Sequence, residues 1–445
     1  VLLAASALAE TRPQYGGTVR IETRSAAFMM PGSYGADDTL SRLIFDTLTA
    51  TDASGNLHPA LATTWQGSED ARRWQFWLRT NASWHDGAPL TATDVAQIIA
   101  AANSSWRVRA VGDSIVIETD TPMPGMAAEM GLMRNAIIRK SPQGDLIGTG
   151  PYKIVSNVNG RVVLQVNQDY WRGRAFTDSV EITTARSLRD QALDLDVGRT
   201  DMTEAAIEDL RRGASPRSRV LASRPIEVMA LVFSPKGSSV QDQRVREAIA
   251  LSLDRTAIQT VLLQRQGDAG ASLLPNWMTG YSFTFPATQD LARARQLRNE
   301  SAARAVAVGY SSADALARVI AERVVLNARD AGFAAQLVPD VASADLVVER
   351  ITLRSADPWA ALSQVASEYG VPVEFKGTTW QDLFNAERDF LAKRVIVPIV
   401  HLPRVYAVAP RLRNVSIGPE GVVDMPVVWV TPTERETRPA AARTP

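Results

Sequence analysis

The chain has 445 residues, 45% hydrophobic and 22% charged, with Lys+Arg 48 balanced by Asp+Glu 48 and no cysteine. Zero formal net charge argues against a general nucleic-acid binder or a polybasic membrane-surface protein, and the lack of cysteine removes thiol catalysis, disulfides and thiolate metal sites. The length exceeds what one hydrophobic core ordinarily serves, so two lobes are expected.

Val1 to Ala9 (VLLAASALA) is apolar, rich in small residues and too short to span a bilayer, and Ala7-Leu8-Ala9 has the small-x-small form read by signal peptidase. It reads as the remnant of a cleaved export signal, the alternative being a disordered apolar N-terminus. The mature chain is then expected to start near Glu10 and to work in the periplasm or outside the cell. No later stretch is long and apolar enough for a membrane helix, so the mature protein is expected to be soluble.

Thr18 to Thr23 alternates as a strand, Ala26 to Tyr34 is a loop whose Met and aromatic residues suit a core or a ligand, and Asp37 opens a short helix. Trp74, Phe76 and Leu78 alternate with Arg73, Gln75, Trp77 and Arg79 at the period of a half-buried strand. Trp84-His85-Asp86-Gly87 forms a turn. Thr91 with Asp94 has the form of a helix N-cap, and Val95, Ile98 and Ile99 give that helix an apolar stripe. Trp106 to Glu118 reads as a hairpin turning at Gly112-Asp113, Pro124 to Leu132 as helix, and the segments around Asn159-Gly160 as a second hairpin. Leu188 to Val197 and Asp242 to Leu253 read as helices flanking an apolar strand, Glu227 to Pro235. Arg304 to Gly309, Ala313 to Ala331 and Ala334 to Val338 form a strand–helix–strand pattern, the alternation of a doubly wound lobe. Thr378 to Lys393 is a last long helix and Val395 to Leu402 an apolar strand. The tail from Glu434 lacks a core pattern and is expected to be mobile.

The chemistry of catalysis is thin. His58, His85 and His401 stand singly, with no HExxH, Walker loop, G-x-S-x-G elbow or dinucleotide glycine fingerprint. Only His85 has an adjacent carboxylate, Asp86. That pair could orient a general base, but a structural turn hydrogen bond is the simpler reading. A carboxylate-pair hydrolase stays open, because spacing in space is not legible from sequence. No cofactor and no metal site is expected.

Several ordered motifs carry more. Leu43 to Asp52 (LIFDTLTATD), Leu57 to Trp65 (LHPALATTW), the WHDGAPLTATDV run from Trp84, Gly148 to Lys153 (GTGPYK) and Asn167 to Gly173 (NQDYWRG) follow one another. Arg244 to Arg255 (RVREAIALSLDR) and Val397 to Val408 (VPIVHLPRVYAV) come after them. Together they resemble the extracellular solute-binding proteins of family 5, the dipeptide, oligopeptide and nickel-binding receptors of ABC importers, over nearly the whole chain. The resemblance implies an α/β, two-lobed periplasmic-binding-protein-like fold of type II (cluster C), with ligand enclosed between lobes. Lobe I would be discontinuous, residues 16–232 and 399–445, and lobe II would be 233–398. The additional helix that such receptors usually carry between the Trp106 to Glu118 hairpin and the Pro124 to Leu132 helix is shed here, so the accessory subdomain of lobe I should be small. The implied role is a non-enzymatic, monomeric receptor that takes a small-molecule or peptide ligand to an ABC permease in the membrane. An exported hydrolase and a receptor-like scaffold without a small ligand are the alternatives.

The resemblance also suggests site residues. Peptide-binding members carry an aspartate shortly before an acid-proline pair, where it meets the peptide's α-amine. Here Asp357-Pro358 is present, but Arg354 takes the aspartate's place. Arg134, in LMRNAI, resembles the arginine by which nickel-binding members hold the carboxylates of a metal chelate. Two inward arginines would favour an anionic or carboxylate-bearing ligand. The alternative is that both are solvated or salt-bridged, with Asp357 as the amine's partner. Trp359, Trp277, Tyr34 and Phe233 are candidate apolar walls, each equally suited to a core.

Overall fold

The computed structural model describes residues 12–25, 31, 37–52, 54–212, 217–281, 284–339 and 341–431. The expected export signal, the candidate Tyr34 and the tail from Glu434 lie outside the described residues. The chain is mixed α/β and divides into two compact units. The first comprises Val1–Asp120, Ala127–Ser223 and Val405–Pro445, and the second Thr121–Met126 and Arg224–Arg404.

In the first unit β1 (Thr18–Glu22) leads to a short helix α1 (Asp38–Ser41), which Asp37 caps by accepting from Leu40 N. Four antiparallel strands follow as a separate small sheet: β2 (Ala62–Gly67), β3 (Arg73–Leu78), β4 (Arg107–Val111) and β5 (Ser114–Glu118), in the order β2-β3-β5-β4. Phe76, Ile115 and Ile117 are buried, as the alternation of the β3 sequence requires. Helix α2 (Ala92–Ala102) packs against β4 and β5, burying Val95 and Ile99. Thr91 and Asp94 close a reciprocal capping box at its start, satisfying two otherwise unpaired backbone donors. Only residues 119–125 join β5 to the short helix Met126–Glu129. Of the helix expected over Pro124 to Leu132, only Met126–Glu129 is helical.

The main sheet of this unit continues with β6 (Tyr152–Val158), β7 (Arg161–Val166), β8 (Ser179–Thr183), helix α3 (Leu188–Asp196) and β9 (Met202–Glu204). β6 and β7 turn at Asn159 (φ 52) and Gly160 (φ 74), the two positive angles that a type I′ hairpin demands. β1 lies parallel to both β8 and β9. Val19, Ile21, Ile44, Phe45, Tyr152, Leu164 and Ile182 share the core. The GTGPYK segment passes so close to the chain after α1 that a Cβ on Gly148 would stand 2.0 Å from the Ile44 carbonyl oxygen. Glycine there is a packing requirement.

The chain leaves along β10 (Arg219–Phe233). In the second unit come α4 (Gln243–Ser252), α5 (Leu291–Glu300), β11 (Ala305–Tyr310), α6 (Ala315–Asp330), β12 (Ala334–Val338), β13 (Leu346–Thr352), α7 (Pro358–Glu368) and α8 (Trp380–Ala392). β11 is parallel to β12 and β13, while β10 runs antiparallel to β13. α6 packs against all three parallel strands, and α4 against α5. Ile226, Val228, Leu362, Val365, Leu383 and Phe390 belong to one core. The chain returns along β14 (Ile396–Val408), whose Val408 and Tyr406 pair with Met202 and Glu204 of β9.

The chain changes unit at Asp120/Thr121, Met126/Ala127, Ser223/Arg224 and Arg404/Val405, the last two in place of the expected 232/233 and 398/399. The reason lies in the pairing. Glu227 to Phe233 match Thr352 to Leu346 of β13 residue by residue, and Val400 and His401 match Ala269 and Asp268, so both stretches belong to the second unit. The apolar run that marked the strand in the sequence begins after the chain has crossed.

Candidate ligand-binding faces

In α/β sheets ligands gather outside the carboxyl ends of parallel strands, where loops leave the sheet. In the first unit those ends are Glu22, Thr183 and Glu204. A crevice of about 10 Å³ opens there beside Thr23, Thr39, Met202 and Tyr406, room for one polar group or one water. Glu204 accepts from Arg24 Nε at 2.8 Å and from Arg24 N at 3.1 Å. Arg186 bonds Asp194, and Arg199 Nη1 reaches the same carboxylate at 3.1 Å. Glu22 is 8% exposed, and its Oε2 accepts no hydrogen bond, with Arg186 Nε standing off at 3.7 Å. Burial, then the nearby Asp194 carboxylate, push the Glu22 carboxyl above its ordinary value against the pull of Arg186.

The corresponding ends in the second unit are Tyr310, Val338 and Thr352. Arg350 on β13 donates Nη1 to Glu227 Oε2 and Nε to Asp314 Oδ2, both at 2.7 Å, and Arg404 Nε lies 3.7 Å from Glu227 Oε1. Asp314 also caps α6 through Leu316 N and Ala317 N. Burial alone would lower the Arg350 pKa, but the Glu227 and Asp314 carboxylates outweigh it and hold the guanidinium firmly charged.

The residues singled out from sequence are engaged inside their own units. Arg134, in the first unit, grips Glu129 with Nε at 2.7 Å and Nη2 at 2.5 Å, a fork that neutralises a fully buried carboxylate. Arg354, in the second, has Nε 3.5 Å from Glu368 and its backbone N–H on Gln364. Each of the two arginines has an acid of its own unit beside it. Asp357 is the N-cap of α7, accepting from Ala360 N at 2.9 Å with Pro358 following at the first helical position. Trp359 is buried against Phe375 at 5.0 Å between ring centroids, and Phe233 is buried with its N–H on Val395 O. These two are core side chains. Trp277 is half-buried, donates Nε1 to Pro225 O at 2.6 Å and lies under the Arg224 guanidinium. Asp357 and Trp359 do meet at one place. Gly125 approaches them so closely that a Cβ would stand 2.8 Å from Trp359 Cβ and 2.9 Å from Asp357 Oδ1.

The His85–Asp86 neighbours do not bond each other. The ring Nε2 meets Gly150 O at 3.1 Å, while Asp86 accepts from Ala88 N and pairs with Arg139. Burial pushes the His85 imidazole down to about 4, so it stays neutral at physiological pH. Among the described residues there is no group of three His, Asp or Glu side chains able to hold a metal ion, and no helix is long and apolar enough to cross a membrane. Sequence reasoning missed Glu22, Arg186 and Asp194. The signal available was the charged residue closing an apolar strand, in the run RIETR.

A family model described as "Bacterial extracellular solute-binding proteins, family 5 Middle" matches residues 56–370. The chain belongs to this family. Its sequence is 22% identical over 315 residues to the oligopeptide-binding protein AppA of Bacillus subtilis, covering 63% of this chain and 57% of that protein. It is 25% identical over 265 residues to the periplasmic murein peptide-binding protein MppA of Escherichia coli, covering 48% of each. The matches thus span about half the length of these relatives. In fold it is similar to the periplasmic binding protein DppA of Helicobacter pylori, solved with the peptide STSA, at a TM-score of 0.79 and 18% identity over 94% of this chain and 99% of that one. Family and fold are those of binding proteins.

Proposed function

We propose that this family 5 protein is the exported, monomeric substrate-binding receptor of an ABC importer, taking up a peptide-like or carboxylate-bearing small ligand and delivering it to a membrane permease without chemical turnover. The family match over residues 56–370 carries the reading. The relatives are named for oligopeptides and murein peptides, and similar folds were solved with a peptide, with Ni(L-His)2 and with agropinic acid. The first unit's strand-end face supports a ligand-facing role, since Glu22 and Arg186 hold hydrogen-bonding capacity that the fold does not use. His85 and Asp86 are bonded to other partners, which weighs against a general-base role for that pair. Mass spectrometry of what copurifies with the protein, followed by incubation with a peptide pool, tests it. Retention of unchanged ligand is expected; turnover would establish the hydrolase, and neither would leave the scaffold.

A further inference from the structure

Arg255, which follows α4 in the second unit, is 5% exposed, and its side-chain bonds run to carbonyls alone. Nε donates to Pro398 O at 2.9 Å, and Nη1 reaches Ala287 O at 3.5 Å, the outer limit of a hydrogen bond. Nη2 bonds no described residue and is not sealed from solvent. Asp254, the acid next to it in sequence, turns away to cap Ala257 N at 2.9 Å and to face Arg323 at 3.7 Å. The charged group that acts on Arg255 is a second cation, Arg394. Arg394 follows α8 with φ 52, the left-handed position that glycine usually takes at a helix end. This half-buried arginine forms no ion pair among the described residues. Burial first, then Arg394, push the Arg255 guanidinium down to about 10, so it remains a cation at neutral pH. Other well-buried arginines are matched with acids, Arg350 with Glu227 and Asp314 and Arg411 with Asp201, because a desolvated charge without a counter-charge is costly. Arg255 and Arg394 act on each other with no acidic side chain to offset them.

The pair stands apart from the strand-end faces. Val395, next to Arg394, takes the N–H of Phe233, which pairs with Leu346 at the amino end of β13, whereas Glu227 pairs with Thr352 at its carboxyl end. We propose that Arg255 and Arg394 form a binding site for a small divalent oxyanion of the phosphate or sulfate type, held by Nη2 of Arg255 and the planar fork of Arg394. Two uncompensated positive charges match a dianion, while a monocarboxylate would offset only one. A guanidinium edge also lies flat against two oxygens of a tetrahedral anion, a fit that a spherical chloride does not offer. The site goes beyond the importer reading, since it uses none of the groups assigned to the transported ligand.

Thermal unfolding of the whole chain in phosphate, sulfate, acetate and chloride at one ionic strength tests this. For a Kd of about 1 mM, about 10 mM phosphate should raise the unfolding midpoint by about 3 °C over chloride. Sulfate should act likewise, because guanidiniums only donate, and acetate should bind at least about tenfold more weakly. Arg394→Gln should abolish both the midpoint shift and the phosphate retained in equilibrium dialysis, while unfolding stays cooperative. Arg394→Glu, which places a carboxylate beside Arg255, should raise the midpoint in chloride and remove its dependence on phosphate. Equal wild-type midpoints in phosphate and chloride overturn the proposal, and so does phosphate binding that survives Arg394→Gln. Arg394→Gln should keep the copurified ligand, so the outcome is read apart from the importer assignment.

Discussion

In the first unit Glu22 closes a parallel strand with one carboxylate oxygen unbonded and Arg186 held off at 3.7 Å, whereas in the second unit Arg350 closes on Glu227 and Asp314 at 2.7 Å each. Both faces sit at the carboxyl ends of parallel strands, so topology brings charge to the same kind of place twice. What differs is whether the charge is spent. A guanidinium bonded through Nε, Nη1 and Nη2 to two carboxylates works as a bolt between β10, β13 and the start of α6. A buried carboxylate with an empty oxygen costs stability and keeps its capacity for an incoming group.

The largest test of that contrast is Arg350→Met. It would strand Glu227, itself buried, without its main partner, and about 3–5 kcal/mol should be lost in denaturant unfolding. A cost below about 1 kcal/mol would mean that the second face is as loosely held as the first. A pH series sharpens the point with another buried acid of the second unit. Glu387 accepts from Leu273 N, Leu274 N and Tyr281 OH, and burial pushes it up to about 7 against those three bonds. Because the folded pKa lies above the unfolded one, its favourable contribution is complete below about pH 4.5 and is lost as pH rises through 7. The wild type should be less stable at pH 8 than at pH 5 by on the order of 3 kcal/mol from this group, and Glu387→Gln should flatten the difference.

Glu22→Gln should behave in the opposite way to Arg350→Met. Unfolding free energy should change by less than about 1 kcal/mol, while affinity for the copurified ligand shifts by about tenfold or more. Unaltered affinity would remove the first face from the binding site. The smallest effect is expected at Arg199, which touches Asp194 but is 76% exposed in its side chain. Arg199→Gln should cost under about 0.5 kcal/mol, and high salt should erase even that.

Much of the local structure was legible because its signals span three or four residues. Thr91 with Asp94, Asp242, Asp314 and Thr379 each cap the helix that follows them, and Asn159-Gly160 turns the expected hairpin. The Asp357-Pro358 pair carried the same kind of signal, an N-cap followed by proline at the first helical turn, and its structural role is that cap. Arg134 could have been paired by eye with Glu129, five residues earlier. Arg354 was harder, since Glu368 lies at the far end of α7.

The ordered motifs, the strand and helix periods and the caps determined by sequence alone the family, the α/β class and the identity of nearly every long element, because each depends on neighbours along the chain. Only the tertiary structure decided which charges are spent. Glu22 meets Arg186 and Asp194 because β1 lies beside β8 and β9, and Arg350 meets Glu227 and Asp314 because β10 pairs with β13 while α6 starts beside it. Strand order brings Glu22 to Arg186 and Arg350 to Glu227 across more than a hundred positions of chain. The energy of a buried charge is then set by those partners rather than by the residues next to it in the chain.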